Sequence, residues 1–194
     1  MKRLTIQNGD ALIIVDVQND FLPGGSLAVL HGEKVVPVLN SYIKLFQGHG
    51  IPIFATRDWH PVNHCSFREQ GGTWPQHCIA GTKGATFSAL LDLPSDVHII
   101  SKATTPEKDA YSGFDGTELH DLLRVAGVRR LFVGGLATDY CVLNTVKDAR
   151  LYNYETYLLD DAVRAVNVHP EDGRLAIEKM VRLGAGLTVI EALV

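Results

Sequence analysis

A short apolar run passes directly into a helix-like segment in "RLFVGGLATDYCVLNTVKDARLYN", residues 130–153. The first part, "RLFVGGLA", is apolar on both faces, which is typical of a strand buried in a parallel sheet. The second part, "DYCVLNTVKDARLYN", has apolar residues at helical spacing. The stretch therefore predicts a strand–helix unit, with Cys141 at the corner between its two parts.

Five other apolar runs have the same strand-like form: "ALIIVDV" (11–17), "IPIFATR" (51–57), "VHIISKA" (97–103), "ETYLLDDA" (155–162) and "GLTVIEAL" (186–193). Segments with helical spacing cover residues 33–50, 116–128 and 170–184, each with a Gly at or next to its end, as helix C-caps commonly have. This alternation predicts one α/β domain over residues 1–194. We expect a doubly wound, mainly parallel six-stranded sheet with helices on both faces.

The amino-acid composition limits the kinds of molecule that this protein is expected to bind. Hydrophobic residues make up 46% of the 194 residues, charged residues 21%, and the formal net charge is −4. Lys and Arg are scattered, so we expect neither a nucleic-acid nor a membrane partner, and no apolar stretch approaches the roughly 20 residues of a membrane span. Three cysteines without framework spacing favour a reduced, cytoplasmic setting.

Reactive side chains follow several predicted strands at the edge where parallel sheets bind ligands. The first strand ends at Asp16, the third at Lys102, and the fourth at the Cys141 corner. Helix N-terminal amides favour a thiolate at Cys141 and could hold an oxyanion, whereas a small buried hydrophobe is the alternative. Asp16 follows "LIIV", where burial raises a carboxyl pKa and suits a general base. Because Asp16 and Lys102 lie on the same edge, we interpret Cys141 as a nucleophile and not as a buried hydrophobe. The fifth strand ends in Asp160 and Asp161, which fit a helix cap equally well.

A second group of reactive side chains lies in the segment 58–96, which is too long for a simple crossover. Asp58 and His60 share one face of an extended chain, His77 follows 17 residues later, and His64 is a fourth candidate. Carboxylate and imidazole ligands suit zinc, iron or manganese. Hydrogen-bonded loop histidines are the alternative. Structural or surface roles are expected for His31, His49, His98, His120 and His169, and structural roles for Asp20, Cys65 and Cys78.

Three aromatic residues lie in predicted loops at the same edge: Phe21, Trp74 and Tyr111. Their rings could stack on a flat substrate, although loop aromatics also close the edges of cores.

Five stretches together resemble the nicotinamidases and pyrazinamidases of the isochorismatase-like (cysteine hydrolase) superfamily, in family order and spacing. They are "ALIIVDVQNDFLPGGSL" (11–27), "TRDWHPVNHCSF" (56–67), "GGTWPQHCIAGTKGA" (71–85), "IISKATTPEKDAYSGF" (99–114) and "GGLATDYCV" (134–142). The resemblance implies hydrolysis of nicotinamide to nicotinate and ammonia through a cysteine thioester, in NAD salvage, with pyrazinamide as a further substrate.

The resemblance also implies roles for individual residues. Asp16, Lys102 and Cys141 match the catalytic triad, and the backbone N–H groups of Ala137 and Cys141 match an oxyanion hole after a cis Leu136–Ala137 peptide. One divalent metal ion, with zinc expected and iron or manganese as alternatives, would be held by Asp58, His60 and His77 and would orient the substrate ring. His64 matches a position that binds the metal in only some members. Positions lining the pyridine pocket correspond to Phe21, Trp74 and Tyr111.

Two other kinds of function remain open. Superfamily relatives include metal-independent ureido and N-carbamoyl amidases and isochorismatases; the metal residues argue against both, and Cys141 argues further against an isochorismatase. A non-catalytic metal or thiol-redox module is the other alternative, but the chain has no Cys-x-x-Cys pair. A homo-oligomer is compatible with the family, which contains monomers and larger assemblies.

Overall fold

A computed structural model describes residues 3–194 of the chain. Six parallel strands form one sheet in the order β3-β2-β1-β4-β5-β6. The strands are β1 (Asp10–Val15), β2 (Ile53–Asp58), β3 (His98–Lys102), β4 (Arg130–Leu136), β5 (Glu155–Arg164) and β6 (Gly186–Thr188). The predicted doubly wound parallel sheet is confirmed.

Helices cover both faces of this sheet. They are α1 (Val35–Gly48), α2 (Leu119–Val125), α3 (Leu143–Leu151) and α4 (Asp172–Arg182). Alternate residues of a strand point to opposite faces, so Leu12 and Ile14 of β1 pack with the α1 side while Ile13 and Val15 pack with the side of α2, α3 and α4. This two-sided burial explains why the strands read as continuous apolar runs.

The sixth predicted strand, 186–193, is wrong beyond Thr188. Residues Ile190–Ala192 form a 3-10 turn, and the N–H of Ile190 donates to the carboxylate of Asp161 at 3.1 Å instead of joining the sheet. Asp160 and Asp161 themselves lie inside β5 and not at its end. The Tyr42 hydroxyl also donates to Asp161 at 2.7 Å, so Asp161 connects β5 to α1 and to the 3-10 turn.

The long segment between β2 and β3 folds against the turn that follows β1. The Asp20 carboxylate accepts the N–H of Cys78 at 2.7 Å, and the Asn19 amide donates to the Lys83 carbonyl at 2.9 Å. A Cβ at Gly84 would lie 2.1 Å from the Asp20 carboxylate, so this contact requires glycine. Asp20 is therefore structural, and the segment is anchored over the carboxyl edge of the sheet.

None of the helices in residues 3–194 has the length and hydropathy of a membrane span. The three cysteines are free thiols, with Cys78 and Cys141 buried and Cys65 half-buried.

Candidate active site

Four reactive side chains come from four adjacent strands at one edge of the sheet. Asp16 directly follows β1, Asp58 ends β2, Lys102 ends β3, and Cys141 lies in the turn after β4. Asp58 and Lys102 are register partners across β2 and β3. The strand order reverses between β1 and β4, and ligands of open parallel sheets bind at such a reversal.

Asp16, Lys102 and Cys141 form a buried cluster at this edge. Nζ of Lys102 lies 3.0 Å from Oδ2 of Asp16 and 3.4 Å from Sγ of Cys141. Asp16 and Lys102 are at most 1% exposed, and Cys141 is 6% exposed. Within the described residues Oδ2 of Asp16 accepts no well-directed hydrogen bond, because the close approach of Lys102 is poorly aligned for one. The structure thus brings an acid, an amine and a thiol into contact, with one carboxylate oxygen free to accept a proton.

Burial and charge act in opposite directions on these three groups. Burial raises the pKa of Asp16 above its ordinary value, and the charge of Lys102 only partly opposes this rise. Burial disfavours the Lys102 ammonium, but Asp16 and Asp58 outweigh that effect and raise its pKa. Burial also raises the pKa of the Cys141 thiol, and the positive charge of Lys102 opposes this rise only in part. The resting cysteine is therefore a thiol, and it needs a base to become a nucleophile.

The corner that holds Cys141 differs from the predicted start of a helix. One turn of π-helix covers Thr138–Val142, and α3 begins only at Leu143. Cys141 thus lies in a buried turn before α3, and desolvation raises its pKa, whereas the start of a helix was expected to lower it. The Leu136–Ala137 peptide is cis, as the resemblance implies. At Gly135, with φ +124°, a Cβ would lie 2.1 Å from the Val15 carbonyl oxygen, so β4 approaches β1 closely here.

Asp58, His60 and His77 form a second cluster beside the first. One ligand atom from each can be chosen so that all three lie within 4.8 Å of one another. Nδ1 of His60 lies 3.1 Å from the Ala103 carbonyl, and Nδ1 of His77 lies 2.8 Å from the Pro75 carbonyl. Each ring therefore keeps Nε2 for an ion, which is the usual arrangement of metal-binding histidines. Burial, with the charges of His77 and His64, lowers the pKa of His60 to about 3, so this ring is neutral, as a ligand must be. These residues fit a divalent metal ion.

His64 lies beside this cluster but is occupied by the protein. Its ring stacks on His60 with a centroid distance of 4.1 Å. Nδ1 lies 2.8 Å from Oγ of Ser66, and Nε2 lies 3.1 Å from the Lys108 carbonyl. Both ring nitrogens have protein partners, so His64 supports the orientation of His60.

A partly open pocket joins the two clusters. Phe21, Trp74 and Tyr111 all line it, together with Cys141 and Ala137. The indole N–H of Trp74 donates to the Tyr111 hydroxyl at 3.0 Å, which fixes the two rings relative to each other. An apolar, aromatic wall with reactive groups at one end suits a small flat molecule.

The Isochorismatase domain family matches residues 10–192. The chain belongs to this family. The nicotinamidase of Escherichia coli K12 is 38% identical, over 91% of this chain and 93% of the relative. Among solved structures, the pyrazinamidase of Pyrococcus horikoshii in complex with zinc has a TM-score of 0.90 and 51% identity, over 93% of this chain and 99% of that one. PnC1 of L. infantum in complex with nicotinate has a TM-score of 0.92 and 38% identity, over 99% and 98% of the two chains.

Several residues at this isochorismatase-family site are not predicted from the sequence. The buried Gln18 amide accepts the Asp58 N–H at 2.8 Å and donates to the Asp58 carbonyl at 2.8 Å, which holds the end of β2. Tyr140 lines the pocket and packs edge-on against Trp74 at 5.1 Å. Thr56 donates to Asp16 at 2.6 Å. Gln18 and Thr56 lie two residues from Asp16 and Asp58 respectively, and Tyr140 is next to Cys141, but no local pattern indicates the contacts that they make.

Proposed function

We propose that this protein is a nicotinamidase that hydrolyses nicotinamide to nicotinate and ammonia, and also hydrolyses pyrazinamide. The observation that carries the proposal is the buried cluster of Asp16, Lys102 and Cys141 at one end of an aromatic-lined pocket. The names of the relatives, nicotinamidase and pyrazinamidase, support the same substrate class.

The first step is activation and attack by Cys141. Because burial keeps the thiol protonated, Asp16 accepts its proton as general base, and the sulfur attacks the carboxamide carbon. A C–S bond forms, and the carbonyl π electrons move onto oxygen. Lys102 stays protonated throughout, since Asp16 and Asp58 raise its pKa, and it stabilises the negative charge on the carboxylate and sulfur. The N–H groups of Ala137 and Cys141 are proposed to hold the oxyanion.

Collapse of the tetrahedral intermediate breaks the C–N bond. Protonated Asp16 donates its proton to the departing nitrogen, so ammonia leaves and a thioester remains on Cys141. Asp16 then accepts a proton from water, whose oxygen attacks the thioester carbon. The C–S bond breaks, and the proton passes from Asp16 to sulfur, which regenerates the thiol and releases the acid.

Asp58, His60 and His77 are proposed to hold one zinc ion. Their chemistry fits such an ion, because two rings have Nδ1 bound to carbonyls and Nε2 available. When bound, the ion would supply a Lewis-acidic centre in the pocket wall for the substrate's ring nitrogen or an ordered water. The pyrazinamidase neighbour in complex with zinc supports this choice of ion.

Phe21, Trp74 and Tyr111 are proposed to enclose the pyridine ring. We also propose that the 194 residues act as one catalytic domain, in the cytoplasm, in NAD salvage. The three free thiols support the reduced setting.

The deciding experiment is an ammonia-release assay on nicotinamide, pyrazinamide and an N-carbamoyl amino acid, each with and without a chelator. We expect turnover of the two aromatic amides, loss of turnover after chelation, and recovery on adding zinc. Activity confined to the N-carbamoyl compound, with no effect of the chelator, would instead identify a metal-independent ureido amidase.

A further inference from the structure

Thr56 holds Asp16 at two points. In β2 it is the register partner of Val15, and its side chain is fully buried. Its hydroxyl donates to Oδ1 of Asp16 at 2.6 Å, and its carbonyl accepts the Asp16 N–H at 3.1 Å. Asp16 has φ +49°, outside the strand conformation, so these contacts fix the chain where it leaves β1.

The side-chain conformation of Thr56 is itself restricted from the other side. A Cβ at Gly113 would lie 2.8 Å from Cγ2 of Thr56, so the Gly113 backbone packs closely on this methyl group. The N–H of Gly113 donates to Oγ1 of Thr145 in α3 at 3.0 Å, and Thr145 is fully buried. Rotation of Thr56 about χ1 would drive the methyl group out of this contact, which leaves the hydroxyl directed at Asp16.

We propose that Thr56 is a positioning residue for the amidase reaction. Its hydroxyl holds Oδ1 of Asp16, so that Oδ2 stays on the side of Lys102 and is free to accept the thiol proton. Gly113 acts one step further away, because its missing side chain makes room for the methyl group of Thr56. This role presupposes the proposed nicotinamidase activity.

Valine at position 56 keeps the branched shape and removes the hydroxyl that donates to Oδ1. Because a hydrogen bond to a charged group contributes more than a neutral one, we expect Thr56→Val to lower kcat by about 10-fold to 100-fold. KM should change by less than about threefold, since Thr56 does not line the pocket. Thr56→Ser keeps the hydroxyl and should recover kcat to within about fivefold of the parent.

The matched control is Thr188→Val. Thr188 is also buried in a strand, but among the described residues its hydroxyl has no hydrogen-bond partner. We expect this variant to have the parent's kcat and KM. Metal content and melting temperature should be measured for every variant, so that a loss of metal or of folded protein is separated from a loss of positioning.

A second variant keeps the inference testable if Thr56→Val folds poorly. Gly113→Ala places a methyl group against Cγ2 of Thr56 and should lower kcat in the parent background. In the Thr56→Ser background that clash is absent, so the same substitution should cost several-fold less.

The results for these variants distinguish a failure of the Thr56 positioning role from a failure of the proposed nicotinamidase function. If the parent releases ammonia, Cys141→Ala does not, and Thr56→Val retains the parent's kcat, then the positioning role is overturned and the function stands. A correctly folded, metal-loaded parent that releases no ammonia from nicotinamide overturns the function itself. Equal losses in Thr56→Val and Thr56→Ser would also reject the hydroxyl's role.

Discussion

Nζ of Lys102 donates a hydrogen bond to Sγ of Cys141 across 3.4 Å, and both side chains are buried. The same ammonium is paired with Asp16 and with Asp58, so one cation links the proposed base, the proposed nucleophile and a proposed metal ligand. Breaking a buried ion pair by removing one partner leaves an uncompensated charge. The chemistry of this site therefore depends on all of these groups together.

Replacing Cys141, the proposed nucleophile, tests the thioester route. We expect Cys141→Ala to lower ammonia release from nicotinamide by at least about 10,000-fold, since the attacking sulfur is gone. Far-ultraviolet circular dichroism should be unchanged, because alanine fits the buried turn. Cys65→Ala is the control, as Cys65 is half-buried and outside the pocket, and it should retain the parent's activity. Substantial turnover by Cys141→Ala would contradict the scheme.

The pH dependence of kcat/KM follows from the pKa shifts. Asp16 must be ionised to act as base, and burial raises its pKa above the ordinary 3.8, so activity should fall as the pH drops through that raised value. The Cys141 thiol and Lys102 both have pKa values well above 9.0 and 10.5 respectively, so neither should produce a fall between pH 7 and 9. The measurement is a rate profile with metal content checked at its acid end. An acid limb at or below 3.8, or a basic limb near 8, would show that other groups control the rate.

Metal stoichiometry distinguishes the proposed ligands from their neighbour. His77→Ala removes one of the three proposed ligands, so the purified protein should lose most of its bound metal and at least about 10-fold of its activity. His64→Ala should retain about one equivalent of metal, because both nitrogens of His64 already bind protein groups. Elemental analysis after dialysis measures both. Loss of metal in His64→Ala alone would assign His64 as a ligand instead.

An ion pair at the amino ends of β1 and β4 should affect stability without affecting catalysis. Arg130 makes a two-bonded, largely buried ion pair with Asp10, with both contacts at 2.7 Å. Arg130→Ala leaves the Asp10 charge buried, and we expect a loss of about 3–5 kcal/mol in the free energy of unfolding, measured in urea. The activity of the folded fraction should be retained, because β4 places Arg130 about 20 Å from the site.

Arg124→Ala is the control for that measurement. Arg124 pairs with Asp121 on the surface of α2, where both side chains are exposed to solvent. Such pairs contribute little to stability, so the urea midpoint should not move. An equal shift in both variants would mean that burial of the Arg130 pair is irrelevant.

The local sequence was sufficient for the sheet and for the edge at which the reactive groups lie. Buried parallel strands are apolar on both faces, so their runs are visible without contacts, and the residues ending each run all fall at the same edge. Asp16, Lys102 and Cys141 could be placed together for this reason. The sixth strand was overextended because the N–H of Ile190 bonds to a carboxylate 29 residues away, which no local pattern records.

Long-range burial and partner choice were visible only in the folded molecule. The Cys141 pKa is raised because tertiary packing removes water from the thiol, whereas the local sequence predicted a lowered pKa at the start of a helix. His64 and His60 are the same residue type in one loop, yet both ring nitrogens of His64 have protein hydrogen-bond partners. In His60 only Nδ1 bonds to a carbonyl, and Nε2 lies 3.8 Å from the Asp58 carboxylate. Thr56 gains its contact with Asp16 because β1 and β2 pair 40 residues apart. The type of each reactive side chain and its position at the end of a strand are local properties of the sequence. Its desolvation and its hydrogen-bond partners depend on contacts between segments that are distant in the chain.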